Sequence, residues 1–263
     1  MPTRLRPTNP VAGNAILVGD PGRALLLAQE LLDDPKMSNH ARGLWGYTGP
    51  CASAGADGHA GAGENRAELT VQATGIGAPS AATVLGDLAK LGVRRAVRVG
   101  TCRALRETLQ PGDCIVVAEA LTTDGTTRAL TAHAGTASGG GVAHDGGAAD
   151  GEEITARPDA ELLERLAPAG SVDRVLSGDL YPVPSPEVAG DAGPAWCGVA
   201  DLQTGALLTL GAQLGIRIGA VLVVEWDARG ERLESEALDD AVKRAGHVAV
   251  AALTGDPQPQ SQG

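Results

Sequence analysis

Residues 96–105 read AVRVGTCRAL and carry the strongest indication of the fold. Its apolar first half is typical of a short buried strand in an α/β sheet. Arg98 lies inside that strand, where a charge is costly unless something compensates it. We expect a turn at Gly-Thr-Cys, where Gly100 lets a backbone approach a ligand closely. Ligands of open α/β sheets bind at the carboxyl ends of strands, so Arg98 and Thr101 form a candidate anion site. The alternative is that Arg98 pairs with a buried carboxylate and Thr101 caps a helix.

A second stretch has the same pattern of an apolar strand followed by a turn with glycine and arginine. Residues 14–23 read NAILVGDPGR, and an apolar, helix-forming segment follows over residues 24–32. The backbone N–H groups at a helix start favour anions. Two strand–turn units that each contain Gly and Arg are therefore predicted to converge on one phosphate.

Together these stretches resemble the nucleoside phosphorylase family of the purine and uridine phosphorylase type, whose patterns are G-D-P-x-R and R-[VI]-G-[ST]-[CT]-G. Residues 41–49, ARGLWGYTG, are similar to the R-G-x-x-G-[FY]-T-G segment of the hexameric purine enzymes. Residues 74–80, TGIGAPS, are similar to G-[MI]-G-x-P-S. All four motifs occur in the family's order and spacing. The resemblance covers residues 14–121 well and residues 175–253 more loosely.

The resemblance implies a three-layer α/β/α fold with a mixed central sheet. The chain length suits a single domain over residues 1–263. Gly-rich stretches near residues 52–66 and 122–153 are predicted to be flexible loops, and residues 255–263 a polar tail. Apolar and alternating runs predict strands over residues 68–74, 113–118 and 220–227 and helices over 80–91, 158–167 and 234–253. A strand is also expected over residues 42–51, and the resemblance implies one over residues 172–181. The Pro-rich residues 1–13 are expected to form an extended arm.

The family reaction is phosphorolysis of a nucleoside to free base and sugar 1-phosphate. The resemblance implies that Gly19, Arg23, Arg98 and Thr101 hold phosphate beneath the anomeric carbon through charge-assisted bonds. Arg98 is counted among the catalytic residues. Arg42 is expected to reach phosphate across a subunit boundary, with a solvated surface arginine as the alternative.

The departing base must be neutralised by protonation, and the resemblance assigns this to Asp227 as general acid. The alternative for Asp227 is a loop or helix-capping carboxylate. The other residues that the resemblance places around the nucleoside are Ile76, Cys102, Arg103, Tyr181, Leu202 and Gln203.

Two positions depart from the family pattern. Gln203 replaces a glutamate that accepts hydrogen bonds from both ribose hydroxyls, and it carries no charge. Arg103 replaces a glycine that lies against sugar and base. In addition, residues 182–186 lack the Gln and Arg with which uridine phosphorylases read uracil. These departures indicate either an unusual base or sugar or a loss of catalysis.

We therefore predict a pentosyltransferase of the nucleoside phosphorylase kind, with the purine enzymes as the nearer pattern. One alternative is a nucleosidase that uses water, although such an enzyme has no need of Gly19, Arg23 and Arg98. The other is a catalytically impaired homologue that binds a nucleoside or phosphate.

Bulk properties restrict the partners. The formal net charge of −11 argues against nucleic acid and anionic membranes as partners.

No apolar run is long enough to span a bilayer, and no signal peptide is evident. A cytoplasmic location is therefore expected. The four cysteines read as free thiols. Neither His133 nor His144 has a carboxylate or a cysteine at metal-ligand spacing, so no metal is predicted. No cofactor is expected either. The expected partners are a nucleoside, inorganic phosphate as co-substrate, and further copies of the chain in a dimer or hexamer.

Overall fold

A computed structural model describes residues 4–52, 66–137, 154–181 and 197–255. In these ranges ten strands form one mixed sheet. The strands are β1 (Asn14–Val18), β2 (Lys36–Asn39), β3 (Gly46–Pro50), β4 (Glu68–Ala73), β5 (Arg95–Ala104), β6 (Cys114–Thr122), β7 (Ile154–Ala156), β8 (Ser171–Ser177), β9 (Val199–Asp201) and β10 (Arg217–Trp226).

The two motif-bearing strands are neighbours at the centre of the sheet. β1 lies between β4 and β5 and is parallel to both, with Leu17 opposite Arg98. β5 also pairs in parallel with β10 along most of its length. β10 continues through β6, β8 and β9 back to β5, so that these five strands close on themselves. The carboxyl ends of β1, β5 and β10 therefore meet at one end of the sheet.

Helices cover both faces of the sheet. They are α1 (Pro21–Leu31), α2 (Gly77–Leu91), α3 (Gly125–Ala137), α4 (Ala160–Leu166), α5 (Thr204–Leu214) and α6 (Ser235–Thr254). The alternation of side chains along β1 sends Ile16 and Val18 towards α1 and α6, and Ala15 and Leu17 towards α2 and α5. The predicted three-layer α/β/α fold with a mixed central sheet is confirmed.

The helix that follows β1 begins at Pro21, three residues before the segment over residues 24–32 that the sequence predicted to be helical. The Asp20 carboxylate accepts a hydrogen bond from the backbone N–H of Arg23 at 2.9 Å, and Pro21 opens the helix. An aspartate cap followed by proline is a favoured helix start. This cap fixes the direction in which the Arg23 side chain leaves the turn.

Two local predictions are wrong. β5 does not turn at Gly100 but continues to Ala104, because its pairing with β10 is maintained beyond that residue. Arg42 is not in a strand: it lies in a 3₁₀ turn with φ 61°, and β3 begins only at Gly46. The Gln72 amide accounts for the late start of β3, since it donates to the carbonyl groups of Leu44 and Trp45.

The prediction of a flexible loop near residues 122–153 is wrong for the helix α3. Asp124 is fully buried and caps this helix, accepting hydrogen bonds from the N–H and the hydroxyl of Thr127 at 2.7 Å each. Residues 138–153, most of the 52–66 stretch and residues 256–263 lie outside the described ranges. β8 ends at Ser177 rather than at residue 181.

Candidate active site

A buried ion pair lies at the centre of the site. Arg98 and Asp201 are 5% and 1% exposed, and Arg98 Nη2 lies 2.9 Å from Asp201 Oδ2. Arg98 Nε lies 3.2 Å from the same oxygen and 3.1 Å from Thr204 Oγ1. Arg98 therefore pairs with a buried carboxylate, which is the alternative that the sequence left open.

Asp201 is held from several sides. Its carboxylate accepts hydrogen bonds from the hydroxyls of Ser177 at 2.8 Å and Thr204 at 2.7 Å, and from the backbone N–H of Thr204. Because these donors come from β8 and the start of α5, the carboxylate is fixed against the end of β5. A buried charge is tolerated where it is paired and hydrogen-bonded in this way.

Gln203 is bound to protein groups at both ends of its amide. Its Oε1 accepts from Arg98 Nη1 at 2.7 Å and lies 3.0 Å from Thr74 Oγ1. Its Nε2 donates to the carbonyl groups of Gly75 and Gly77. An amide offers two donors and one acceptor oxygen with two lone pairs, so these contacts use its hydrogen-bonding capacity.

A single arginine joins the two motif-bearing units. Arg23 Nη1 lies 3.3 Å from the Thr101 hydroxyl, and Arg23 Nη2 lies 3.5 Å from Glu225 Oε2. The pairing of β10 with β5 shifts register between Val224 and Trp226. Such irregularities re-aim side chains next to active sites. Here the bulged residue is Glu225, and its carboxylate faces Arg23.

Gly19 lies at the junction of three segments. A Cβ at this position would be 3.6 Å from the Gly75 carbonyl oxygen and 3.9 Å from Gln203 Oε1. The turn after β1, the start of α2 and the start of α5 therefore meet at Gly19.

Asp227 follows β10 directly and closes a tight turn. Its Oδ1 accepts hydrogen bonds from the N–H groups of Arg229 at 2.9 Å and Glu231 at 2.7 Å. The residue is 9% exposed. Asp227 thus fills the loop-carboxylate role that the sequence allowed. Its proposed role as general acid stays a prediction.

Tyr181 and Cys102 lie close to the ion pair. Tyr181 is 37% exposed, and desolvation of its phenol, followed by the negative charge of Asp201, raises its pKa above the ordinary value. The same two causes raise the pKa of the Cys102 thiol, whose Sγ lies 3.5 Å from the Val223 carbonyl oxygen. Both groups are therefore protonated at neutral pH.

A family model described as the phosphorylase superfamily matches residues 14–175. The chain belongs to the phosphorylase superfamily.

Among curated relatives of this superfamily, the purine nucleoside phosphorylase DeoD-type of Bacillus cereus is 27% identical over 222 residues, which is 81% of each chain. The corresponding protein of Bacillus thuringiensis is equally similar. Among solved structures, uridine phosphorylase from Vibrio fischeri superposes with a TM-score of 0.69 at 19% identity, covering 94% of this chain and 93% of that one. Its complex with 6-hydroxy-1-naphthoic acid gives a TM-score of 0.68 at 21% identity, with 93% and 90% coverage. These structural likenesses establish the fold.

Three of the residues that were predicted to bind phosphate or nucleoside lie apart from the Arg98–Asp201 ion pair or at its edge. Arg42 is exposed and lines a separate cleft of about 420 Å³ together with Arg6, Thr8 and His40. Ile76, 86% exposed, precedes α2. Leu202 is half-buried between β9 and α5. No contact in the structure tests the roles assigned to them.

The sequence reasoning missed Asp201 and Glu225 as site residues. A signal for each was present, because a buried Arg98 requires a carboxylate partner, and Asp201 lies in the motif that contains Gln203. Glu225 is an acidic residue at the end of an apolar strand, where side chains face ligands in an α/β fold.

Neither a metal site nor a membrane-spanning helix is found among the described residues. No group of three or more His, Cys, Asp and Glu side chains there is arranged to hold a metal ion. No helix in the same ranges has the length and apolar character needed to cross a membrane. His133 is exposed, with Nδ1 2.7 Å from the Ala129 carbonyl oxygen, and His144 lies outside the described residues.

Proposed function

We propose that this protein catalyses phosphorolysis of a nucleoside, releasing the free base and a sugar 1-phosphate. One observation carries the proposal: the 3.3 Å contact between Arg23 and the Thr101 hydroxyl. It brings the Gly-Asp-Pro-x-Arg turn against the Arg-Val-Gly-Thr strand, the two elements whose sequences indicate phosphate binding. The names of the curated relatives, purine nucleoside phosphorylases, support the same reaction.

In this proposal phosphate lies between the Gly19 turn and β5. Arg23 and Thr101 are its direct partners, and Arg98 on β5 supplies further N–H donors. A guanidinium has five N–H donors. Three of those on Arg98 have partners in the described part of the chain, so two are left for an anion. Arg42 completes the site from a neighbouring subunit of a dimer or hexamer.

Base departure is assigned to Asp227. Its Oδ1 is held by backbone N–H groups, which leaves Oδ2 to carry the proton. Tyr181 stacks on the base, and Ile76, Cys102 and Leu202 line the nucleoside. The reaction needs no cofactor beyond inorganic phosphate as co-substrate, and we place it in the cytoplasm.

The sugar or base is proposed to be unusual. Gln203 has its amide engaged by Arg98, Thr74 and two backbone carbonyl groups. It therefore has little capacity left for a pair of ribose hydroxyls. The same observation favours a second candidate, a homologue that binds a nucleoside or phosphate without turnover.

The deciding experiment is a nucleoside panel assayed with and without phosphate. Base release only with phosphate supports the proposal, release without phosphate indicates a nucleosidase, and binding without release indicates the second candidate. Arg23→Met should abolish phosphate-dependent release. The matched control is Arg217→Met, which removes an arginine paired with Glu161 at the opposite end of β10 and should retain full activity.

A further inference from the structure

Arg103, near the end of β5, is a partly buried cation. Within the described ranges its side chain has neither a hydrogen bond nor an ion pair. Five other arginines do have carboxylate partners: Arg23 and Arg232 pair with Glu225, Arg98 with Asp201, Arg106 with Asp173, and Arg229 with Glu107. A partly desolvated charge is unfavourable unless an opposite charge compensates it.

The position of Arg103 identifies the part of the site that it faces. Side chains alternate along a strand, so Arg103 emerges on the same face of β5 as Thr101, about 6.6 Å further on. Opposite it in β10 is Trp226. Arg103 Nη2 lies 3.7 Å from where a Cβ on Gly230 would be, within the turn that Asp227 closes.

This placement separates Arg103 from the phosphate end of the site. Arg23 already contacts Thr101, and Arg103 is one further strand repeat away, towards the turn that holds the proposed general acid. Within the described ranges no ion pair joins Asp227 to Arg103, and the Asp227 Oδ1 accepts hydrogen bonds from the N–H groups of Arg229 and Glu231 instead. A ligand that spans the site from Thr101 towards Asp227 would present its base near the guanidinium.

We propose that Arg103 binds a negative charge on the base, so that the substrate is a nucleoside whose base is anionic at neutral pH. This inference rests on the proposed function. The anion is either a carboxylate substituent or an ionised ring. Either gives the guanidinium a charge-assisted partner. Its positive charge also stabilises the electron pair that the base takes when the glycosidic bond breaks and that Asp227 then protonates.

The test compares charged bases with neutral counterparts. 5-Carboxyuridine is paired with 5-carbamoyluridine, and xanthosine, ionised near neutrality, with inosine. With saturating phosphate, kcat/KM should favour the charged member of at least one pair by about tenfold or more, the scale of one charge-assisted bond. Arg103→Gln should remove the preference and Arg103→Lys should keep part of it. Arg106→Gln, which removes a paired arginine near the same strand end, should leave the preference unchanged.

A binding measurement separates this inference from the proposed function. Calorimetry with free 5-carboxyuracil, 5-carbamoyluracil, xanthine and hypoxanthine needs no turnover. If no nucleoside is cleaved but the wild-type protein selects the charged bases and Arg103→Gln does not, the proposed function fails and the inference stands. Equal binding of charged and neutral bases, selectivity that survives Arg103→Gln, or no binding of any base overturns the inference.

Discussion

The Arg98 guanidinium lies directly over Gly100, two residues further along the same strand. A Cβ at Gly100 would be 2.7 Å from Arg98 Cζ and 2.9 Å from Leu222 Cδ2. The glycine is therefore required by the protein's own arginine, which must lie flat against the strand to reach Asp201.

Gly100→Ala should consequently push the guanidinium away from Asp201. We expect a loss of about 1–3 kcal/mol in the free energy of unfolding, the usual cost of overpacking, measured by urea denaturation. The control is Gly86→Ala in α2, where an added Cβ meets nothing within 4 Å and alanine favours the helix. A Gly100→Ala protein as stable as wild type would contradict the close approach.

The ion pair itself should behave as a coupled unit. Arg98→Met or Asp201→Asn alone leaves an uncompensated charge in the interior, and each should cost about 3–5 kcal/mol in the free energy of unfolding. The double variant should cost clearly less than the sum of the two. Additive losses in the same denaturation experiment would mean that the partners are stabilised independently.

The layers of the fold could be predicted from the resemblance of four motifs to the nucleoside phosphorylase family, because such motifs are local features of the sequence. The sequence also indicated that Arg98 needs compensation, but it could not choose between a carboxylate and a ligand. That choice depends on Asp201, which is 103 residues away along the chain. The turn expected at Gly100 was wrong for a related reason: a glycine can serve a side chain of its own strand as well as a bend.

Arg42 and α3 illustrate two other limits. The sequence of residues 41–49 is compatible with a strand. Residues 41–45 stay outside β3 because the Gln72 amide, distant in sequence, donates hydrogen bonds to the carbonyl groups of Leu44 and Trp45. In α3 the Gly- and Thr-rich composition favoured the prediction of a loop, whereas the buried Asp124 cap stabilises a helix there. Local composition underestimates elements that tertiary contacts stabilise.

Gln203→Glu should destabilise the protein. The Gln203 amide nitrogen donates to the Gly75 and Gly77 carbonyl groups, and a glutamate oxygen there would set an acceptor against acceptors. We expect a loss of about 1–3 kcal/mol in the free energy of unfolding and no gain in ribonucleoside turnover. Gln213→Glu makes the same change at an exposed site on α5 and should alter stability by less than about 0.5 kcal/mol. A stable Gln203→Glu protein with faster turnover would show that the side chain is free to turn towards the sugar.

Cys102 should resist thiol reagents at neutral pH. Burial raises its pKa well above the ordinary value, so the reactive thiolate is almost absent. Labelling of the native protein with a disulfide reagent should modify Cys114 first, since it alone of the four cysteines is partly exposed. Cys114→Ser should remove the fast phase, whereas Cys102→Ser should leave it. A fast phase lost in Cys102→Ser would place that thiol in an open pocket.

Glu225 is expected to weaken phosphate binding. Its carboxylate lies 3.5 Å from Arg23 Nη2, so a phosphate bound to Arg23 sits close to a second anion. Two unit charges about 6 Å apart interact by roughly 1–3 kcal/mol at the effective dielectric constant of a protein surface. Glu225→Gln removes the repulsion yet keeps an oxygen that can accept from Arg232. We expect calorimetric titration with inorganic phosphate to show about tenfold tighter binding at low ionic strength, with a smaller gain at high salt.

The control is Glu107→Gln, which frees the exposed Arg229 instead and should leave phosphate affinity unchanged. Weaker phosphate binding by Glu225→Gln would mean that the carboxylate orients Arg23, and that this orientation outweighs the repulsion.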